Sequence, residues 1–434
     1  MPRVVELRGL SRNAILRWIL HRGEVMSSPP NASDEGAGFR SALWHQATTL
    51  RERIEALRDK PQPPIEPDQQ ILNGRLDRWR CEFPYFVDDY LSLCSTIYNT
   101  DETGLAAILG QPLDDVRERA EEVPRWLRSL EHAFSGRTGG KLSFTDISGA
   151  AGTTPFLNLI EPLIRHALLE LRDGVAAANG DVNVVVFNEH VEQSLLANAQ
   201  RQLLQMLIPT LVLELNVARV QGLLRGDTPE QRFASFVDRL REPDAAVALL
   251  SEYPALARQL VSSLDHWMTF SLEFLNHFAA DRSQLCIEFG AGKDLGTLVS
   301  LDDSKGDAHR HGRSVLILTF STGTRIVYKP RPLGVARHFQ ELLSWLNERG
   351  ADPPVRTLKV LDRGAYGWVE FVSPQGCSSP DEVKRFYTRQ GELLALLYAI
   401  EATDFHFENL IAVGEHPAEP VNEFETPGRI SLVS

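Results

Sequence analysis

The sharpest chemical pattern in the sequence is the string DFHFEN at residues 404–409. Phosphoryl transfer needs an acid that orients or deprotonates a hydroxyl and an amide oxygen that holds Mg²⁺, and these groups lie five residues apart in kinase catalytic loops. Asp404 and Asn409 have that spacing, and an apolar run at 410–413 follows them. The string is short, so a polar loop that caps a helix is the alternative interpretation.

A lysine upstream strengthens the first interpretation. Lys329 ends the β-rich run RIVYK, and residues 321–324 join this run to SVLILTF at 314–320, as expected of a hairpin. A strand that ends in a lysine and precedes a helix is where kinase-like folds hold the ATP phosphates. The strand at 368–372 then occupies the place of the segment that contacts adenine. Together these residues predict a kinase-like ATP site, and an exposed lysine at the end of a strand is the alternative.

Residues 306–313, GDAHRHGR, precede the hairpin. The two glycines, Gly306 and Gly312, would let backbone amides approach a phosphate, whose charge Arg313 or His309 could meet. The alternative is a polar approach to the hairpin with a chance cluster of histidine and arginine. A metal site is disfavoured because no cysteine or carboxylate stands at ligand spacing.

The surrounding pattern predicts an α+β chain, mainly helical before residue 282 and β-rich after it. Helices are expected at 39–58, 87–98, 113–133, 156–172, 191–224, 231–241, 245–250, 253–280, 334–349 and 380–401. Strands are expected at 284–289, 314–320, 325–329, 355–361 and 366–372. From residue 314 onward the order is two strands, a helix, two strands, a long helix and the 404–409 loop.

Composition narrows the function classes. The 434 residues carry a net charge of −13, which disfavours nucleic acid as a partner. No run of about 18 uncharged apolar residues appears, so no membrane span is expected. The four cysteines are far apart and predict neither a zinc site nor a disulfide framework. Residues 1–38 lack the features of a signal peptide and are expected to be an extension and linker of a cytoplasmic protein.

Three strings in this order resemble the dehydratase domain of class II lanthipeptide (lantibiotic) synthetases. They are GDAHRHGRSV at 306–315, VYKPR at 327–331 and TDFHFENLIA at 403–412. The resemblance implies a lipid-kinase-like fold that uses ATP and Mg²⁺ to phosphorylate Ser and Thr of a ribosomally made precursor peptide and then eliminates phosphate. By position it implies that Lys329 binds the ATP phosphates, that Asp404 and His406 are catalytic and that Asn409 binds Mg²⁺. It links Asp307 and His309 to the elimination.

The sequence departs from that family in its last residues. Family members continue into an Asp-x-Glu metal segment, whereas no Asp follows Asp404 here, and Glu423 and Glu425 stand as an altered version of it. The later part of the C-terminal lobe and the zinc-dependent cyclase domain are also missing from this sequence. We therefore expect a truncated synthetase with no zinc site of its own.

The expected organisation is an extension at 1–38, a helical region at 39–140 and a partial dehydratase domain at 141–434. Within that domain the two-lobed, kinase-like part comprises an ATP lobe at about 282–373 and the start of a second lobe at 380–434. Two other functions stay open. One is an inactive pseudokinase or leader-peptide-binding remnant, and the other is a phosphotransferase for a small molecule.

Overall fold

A computed structural model describes residues 44–59, 66–82, 94–112, 115–116, 123–135, 142, 144, 152–178, 187–303, 312–402 and 410–418. These residues form a mixed α+β protein, as predicted. The chain divides into two compact units. The first comprises residues 1–166 and 203–262, and the second comprises residues 167–202 and 263–434.

The helices that precede the sheet are α1 (Leu50–Asp59), α2 (Gln69–Glu82), α3 (Glu102–Leu109), α4 (Arg125–Ser135), α5 (Glu161–Ala178), α6 (Glu189–Val220), α7 (Pro229–Leu240), α8 (Pro243–Glu252) and α9 (Pro254–Glu288). Short 3₁₀ helices occupy Trp44–Ala47 and Thr154–Ile160. The start of α7 shows how local sequence sets these boundaries. Thr228 and Gln231 form a reciprocal capping box, and Pro229 takes the first helical position, where a missing N–H costs nothing.

The first unit is all helical in its described residues. Its core includes a cluster that joins α2 to α3 through Leu72, Cys94, Leu105 and Leu109. A second contact places Phe156 against the rings of Phe233 and Phe236 on α7. Within the described residues, the helix predicted at 113–133 is interrupted at Val123 and Pro124: residues 115–116 are helical, and α4 begins at Arg125.

The second unit contains a five-stranded antiparallel sheet of order β1-β2-β3-β5-β4. Its strands are β1 (Leu298–Asp302), β2 (Leu316–Phe320), β3 (Arg325–Lys329), β4 (Val360–Asp362) and β5 (Gly367–Glu370), with α10 (Gly334–Glu348) between β3 and β4. After them come α11 (Pro380–Ala399) and a hairpin of β6 (Ile411–Val413) and β7 (His416–Ala418). The predicted β2–β3 hairpin is confirmed, with Gly323 at φ +83° in its turn.

The two faces of the sheet are covered differently. Aromatic side chains of α9 pack on one face, where Phe274 contacts Tyr328 and Trp368 and Phe278 contacts Phe320. The other face meets the start of α10 through a cluster of Leu333, Ala336 and Val369, against which Val327 and Val360 pack. Alternation along β2, β3 and β5 therefore directs Phe320, Tyr328 and Trp368 to one face, called the aromatic face, and Val327 and Val369 to the other.

The strand predicted at 284–289 is wrong, since these residues continue α9 to Glu288. Phe274, Phe278 and Leu285 are all buried on one helical stripe, so 3.6-residue periodicity with upstream residues outweighs the local β-rich composition. The strand predicted at 355–361 shrinks to Val360–Asp362. Ahead of it, the Leu358 N–H donates to the Gln340 side chain of α10.

Strand β1 is absent from the prediction because its pattern is irregular. A bulge shifts the register between Leu298 and Ser300, so the buried residues Leu298 and Leu301 stand three apart instead of two. No disulfide joins the four cysteines, all of which lie in the described residues. Among the described helices, α6 is long and apolar enough to span a membrane by length and composition, a test that core helices of soluble proteins also pass.

Candidate functional site

Lys329 is fully buried at the end of β3. Its exposed fraction is 1%, and its backbone pairs with Gly367 at the start of β5. Lysine is almost never fully buried unless its ammonium is paired, and a buried charged group is a candidate for function. The alternative of an exposed lysine at the end of a strand is therefore wrong.

The strand register determines which side of the sheet Lys329 occupies. Successive side chains of a strand point to opposite faces. Tyr328 lies on the aromatic face with Trp368, its cross-strand partner. Lys329 consequently shares the other face with Val327, beneath the start of α10.

Gly367 provides the room beside Lys329. A Cβ atom at this position would lie 2.5 Å from Leu333 Cδ1 and 2.6 Å from the Leu361 carbonyl oxygen. The absence of a side chain thus allows Leu333, which precedes α10, to pack against β5 next to the lysine. Sequence analysis did not identify this glycine, because its role depends on cross-strand pairing.

Helix α10 follows Lys329 as a helix follows the ATP lysine of kinases, but its charges are arranged differently. The kinase helix carries a glutamate that pairs with the lysine. In α10 the glutamates Glu341 and Glu348 are exposed, and Glu341 pairs with His338. The buried residues of α10 are Ala336, Phe339, Gln340 and Leu343, so this helix turns no carboxylate inward.

The GDAHRHGR segment is described only at its C-terminal end. Gly312 has φ +74° and passes close to His266 of α9, where a Cβ atom would lie 3.2 Å from the histidine Cβ. Arg313 donates to Glu273 Oε2 from Nε at 3.1 Å and from Nη2 at 2.7 Å. Glu273 therefore holds the guanidinium that was predicted to meet phosphate. Gly306, Asp307 and His309 lie outside the described residues.

An ion pair also holds the chain at Asp303, the last described residue before that segment. Arg201 of α6 donates to Asp303 Oδ1 at 2.6 Å. Burial raises the pKa of Asp303 even though Arg201 favours its ionised form. The described residues on both sides of 304–311 are thus fixed by ion pairs to α6 and α9.

The predicted catalytic residues Asp404 and His406 and the predicted Mg²⁺ ligand Asn409 lie outside the described residues, as do Glu423 and Glu425. The chain on either side of 403–409 is described. Ala402 and Leu410 both pack against one cluster, formed by Phe339, Leu343, Val355, Leu393 and Leu397. The fold therefore brings the two ends of this segment to the same core, on the side of α10 and α11.

The β6–β7 hairpin that follows is fastened to the rest of the unit by several bonds. Arg389 of α11 is 4% exposed in its side chain and donates to the carbonyl oxygens of Pro354 and Glu415, both at 2.9 Å. Gln375 exchanges backbone hydrogen bonds with the hairpin, at Ala412 and Gly414. The chain leaving residues 403–409 is thus held in a defined place.

A polar stripe on α9, which sequence analysis missed, meets the aromatic face of the sheet. It consists of Glu273, His277 and Asp281, spaced four residues apart. Asp281 is 1% exposed and accepts hydrogen bonds from Trp368 Nε1 at 2.8 Å and from Arg363 Nε at 2.7 Å. Burial acts to raise the pKa of Asp281, but hydrogen bonds from Arg363, Trp368 and Tyr366 outweigh it and lower that pKa.

His277 occupies the middle of the stripe. Its Nδ1 lies 2.9 Å from the Tyr328 hydroxyl, and its ring stacks on Tyr366 with centroids 3.5 Å apart. Burial lowers the pKa of His277, so the ring is neutral at neutral pH. Burial likewise raises the pKa of Tyr328, and burial with the Asp281 carboxylate raises that of Tyr366 to about 12.

Within the described residues, no group of three or more histidine, cysteine, aspartate or glutamate side chains could hold a metal ion. The Mg²⁺ ligands predicted from the sequence fall outside those residues. Of the predicted nucleotide contacts, the structure describes Lys329, Gly312 and Arg313. Lys329 is the buried one, and its ammonium suits an anionic group.

Two comparisons with known proteins bear on this chain. Residues 253–418 match a family model described as a domain of unknown function, DUF4135. A stretch of 216 residues is 29% identical to the lacticin 481/lactococcin biosynthesis protein LcnDR2 of Lactococcus lactis subsp. lactis, covering 48% of this chain and 23% of that protein. The match therefore spans less than a quarter of the relative. The matched family segment contains α9, the five-stranded sheet, Lys329 and residues 404–409.

Proposed function

We propose that this chain takes part in lanthipeptide biosynthesis by dehydrating Ser and Thr residues of a ribosomally made precursor peptide at the expense of ATP. The similarity to a lacticin 481/lactococcin biosynthesis protein supports the biosynthetic role. The burial of Lys329 at the end of β3 is the observation that carries the proposed ATP site. The cytoplasm is the proposed location.

The proposed reaction has two steps. In the first, Asp404 accepts the proton of a Ser or Thr hydroxyl as its oxygen attacks the γ-phosphorus of ATP, and ADP leaves. His406 assists Asp404, while Lys329, Gly306 and Gly312 contact phosphate, as would Arg313 once it leaves Glu273. Asn409, with Glu423 and Glu425, would hold Mg²⁺, which neutralises the phosphate charge.

In the second step a base removes the α-proton of the phosphorylated residue. The electrons of the C–H bond form the carbon–carbon double bond, and the Cβ–O bond breaks to release phosphate. His309 and Asp307 are the proposed groups for this step. Arg313 would have to leave Glu273 to meet the departing phosphate, because the two are paired in the structure.

A second candidate function is nucleotide or leader-peptide binding without transfer. One feature of α10 favours it, since the exposed positions of Glu341 and Glu348 leave this helix without the inward glutamate of active kinases. A phosphotransferase for a small molecule is the third and weakest candidate. These functions differ in whether ATP binds and whether the peptide changes mass.

The first experiment compares wild type with Lys329→Met, a variant that keeps much of the apolar stem. Mg·ATP at 100 times its Kd should stabilise wild type by about 2.7 kcal/mol, and Lys329→Met should lose most of this effect. Lys293→Met, at an exposed lysine, is the matched control and should respond like wild type. Equal stabilisation of both variants would exclude Lys329 from the nucleotide site.

The second experiment follows a precursor peptide by mass after incubation with Mg·ATP. Phosphorylated and dehydrated products are expected from wild type, and Asp404→Asn should abolish both. His309→Ala should accumulate phosphopeptide. Nucleotide binding without any change in peptide mass would favour the binding remnant, and phosphate transfer to an aminoglycoside instead would favour the small-molecule enzyme.

A further inference from the structure

The polar stripe of α9 contacts three neighbouring strands or their flanks. Glu273 pairs with Arg313, three residues before β2; His277 meets Tyr328 of β3; Asp281 meets Trp368 of β5. Four residues of helix rise about 6 Å, and adjacent strands lie about 4.8 Å apart. A helix that crosses the strands can therefore present one polar side chain per turn to each successive strand.

These contacts fall at one end of the sheet. Leu316, Tyr328 and Trp368 form one row across β2, β3 and β5, because Tyr328 pairs with both of the others. Lys329 and Gly367 form the next row. The contacts of His277 and Asp281 with Tyr328 and Trp368 therefore fall on the row of residues next to that of the buried Lys329.

The strand partners of His277 and Asp281 are also protected from water, whereas the Glu273–Arg313 pair is partly exposed. Tyr328 and Trp368 are fully buried, and Asp281 is nearly so. Hydrogen bonds in such surroundings are electrostatically stronger than in water and are costly to leave unmade. Arg363, the second partner of Asp281, lies in the β4–β5 connection that leads into Gly367.

We propose that His277 and Asp281 are positioning residues that hold Lys329 in its buried orientation. Side chains of a strand alternate between faces, so anchoring Tyr328 to α9 directs Lys329 to the opposite face. Anchoring Trp368 and Arg363 fixes the strand that pairs with Lys329. This inference rests on the proposed ATP site, since positioning matters for function only if Lys329 binds phosphate.

The test uses two variants that keep side-chain volume, Tyr328→Phe and Asp281→Asn, in the full chain. Tyr253→Phe is the matched control, because it also removes a hydroxyl that donates to a polar side chain, Glu214, but in the other unit. Mg·ATP affinity is measured by calorimetry. Acylation of Lys329 by acetic anhydride is measured by peptide mass spectrometry, with the exposed Lys293 and Lys384 as internal references.

Tyr328→Phe loses the hydrogen bond to His277, and Asp281→Asn replaces one acceptor oxygen with an amide NH2, which cannot accept from Trp368 or Arg363. Each variant should therefore weaken Mg·ATP binding by about fivefold or more. They should also raise the acylation rate of Lys329 relative to the reference lysines, while Tyr253→Phe changes neither quantity. Wild-type affinity together with wild-type acylation in both variants would overturn the proposal, even if their thermal stability falls. If Asp281→Asn does not fold, Tyr328→Phe decides.

The two hypotheses can fail separately. Absence of Mg·ATP binding by wild type would refute the proposed nucleotide site. The acylation rates would then still test the positioning of Lys329, because they require no nucleotide.

Discussion

Replacing Asp281 by alanine is the most informative test of how the second unit is held together. The carboxylate joins α9 to β5 through Trp368 Nε1 and to the β4–β5 connection through two nitrogens of Arg363. Its removal affects the two partners unequally. The Trp368 indole is fully buried, whereas the Arg363 side chain is 38% exposed.

The expected loss follows from that difference. A buried N–H left without an acceptor costs about 1–3 kcal/mol. Arg363 can recover hydration, so the loss of its ion pair adds only about 0.2–1 kcal/mol, the range of exposed pairs. The free energy of unfolding should therefore fall by about 2–3 kcal/mol. For a unit of roughly 200 residues, this lowers Tm by about 5–10 °C.

Urea unfolding followed by tryptophan fluorescence measures this loss, since Trp368 itself lies at the site. Asp294→Ala is the matched control, because Asp294 also pairs with an arginine, Arg282, but is 79% exposed. It should change the unfolding free energy by less than about 0.5 kcal/mol. A loss for Asp281→Ala no larger than that of Asp294→Ala would refute the reasoning.

Three further outcomes are expected. The stability difference between wild type and Asp281→Asn should shrink as pH falls below about 4. The folded-state pKa of Asp281 is lowered, so the carboxylate stabilises the fold above its unfolded-state pKa, and this stabilisation is lost on acidification. A pH-independent difference in urea titrations would contradict this. Gly367→Ala should lower the free energy of unfolding by about 1–3 kcal/mol, because its Cβ would meet the Leu361 carbonyl oxygen. Gly391→Ala on α11, where a Cβ would meet no heavy atom within 4 Å, is the control and should be neutral or stabilising in thermal unfolding. Arg389→Ala should cost about 2–4 kcal/mol, because it removes the hydrogen bonds that a buried guanidinium donates to the carbonyl oxygens of Pro354 and Glu415. Arg385→Ala, at an exposed arginine that pairs with the same Glu415, should leave Tm unchanged, and equal losses would show that Arg389 has no special anchoring role.

Much of the secondary structure could be predicted from local pattern. Strand β3 was predicted at its observed bounds, and the limits of α10 differ by one residue from the prediction. The failures have identifiable causes. The bulge in β1 broke the period-2 signal, and residues 284–288 have β-rich composition but belong to the buried stripe of α9. Local composition does not show which distant residues share a stripe.

The candidate site was predictable in part. The type and strand position of Lys329 are visible in the sequence, but its burial depends on Gly367 and Leu333, which approach it from other elements. Glu273, His277 and Asp281 stand at helical spacing, yet such a polar stripe usually faces solvent. Only the packing of α9 against the sheet shows that they bind Arg313, Tyr328 and Trp368.

The sequence by itself determined the order of helices and strands, the β2–β3 hairpin and the lysine at its end, because these depend on periodicity, turn residues and proline positions within a few residues. The tertiary structure decided the burial of Lys329, the anchoring of its neighbours by α9 and the convergence of Ala402 and Leu410 on one core. Those features arise from contacts between residues far apart in the chain. Their energies come from burying apolar side chains and from hydrogen bonds between polar groups that are shielded from water, and no local pattern records either.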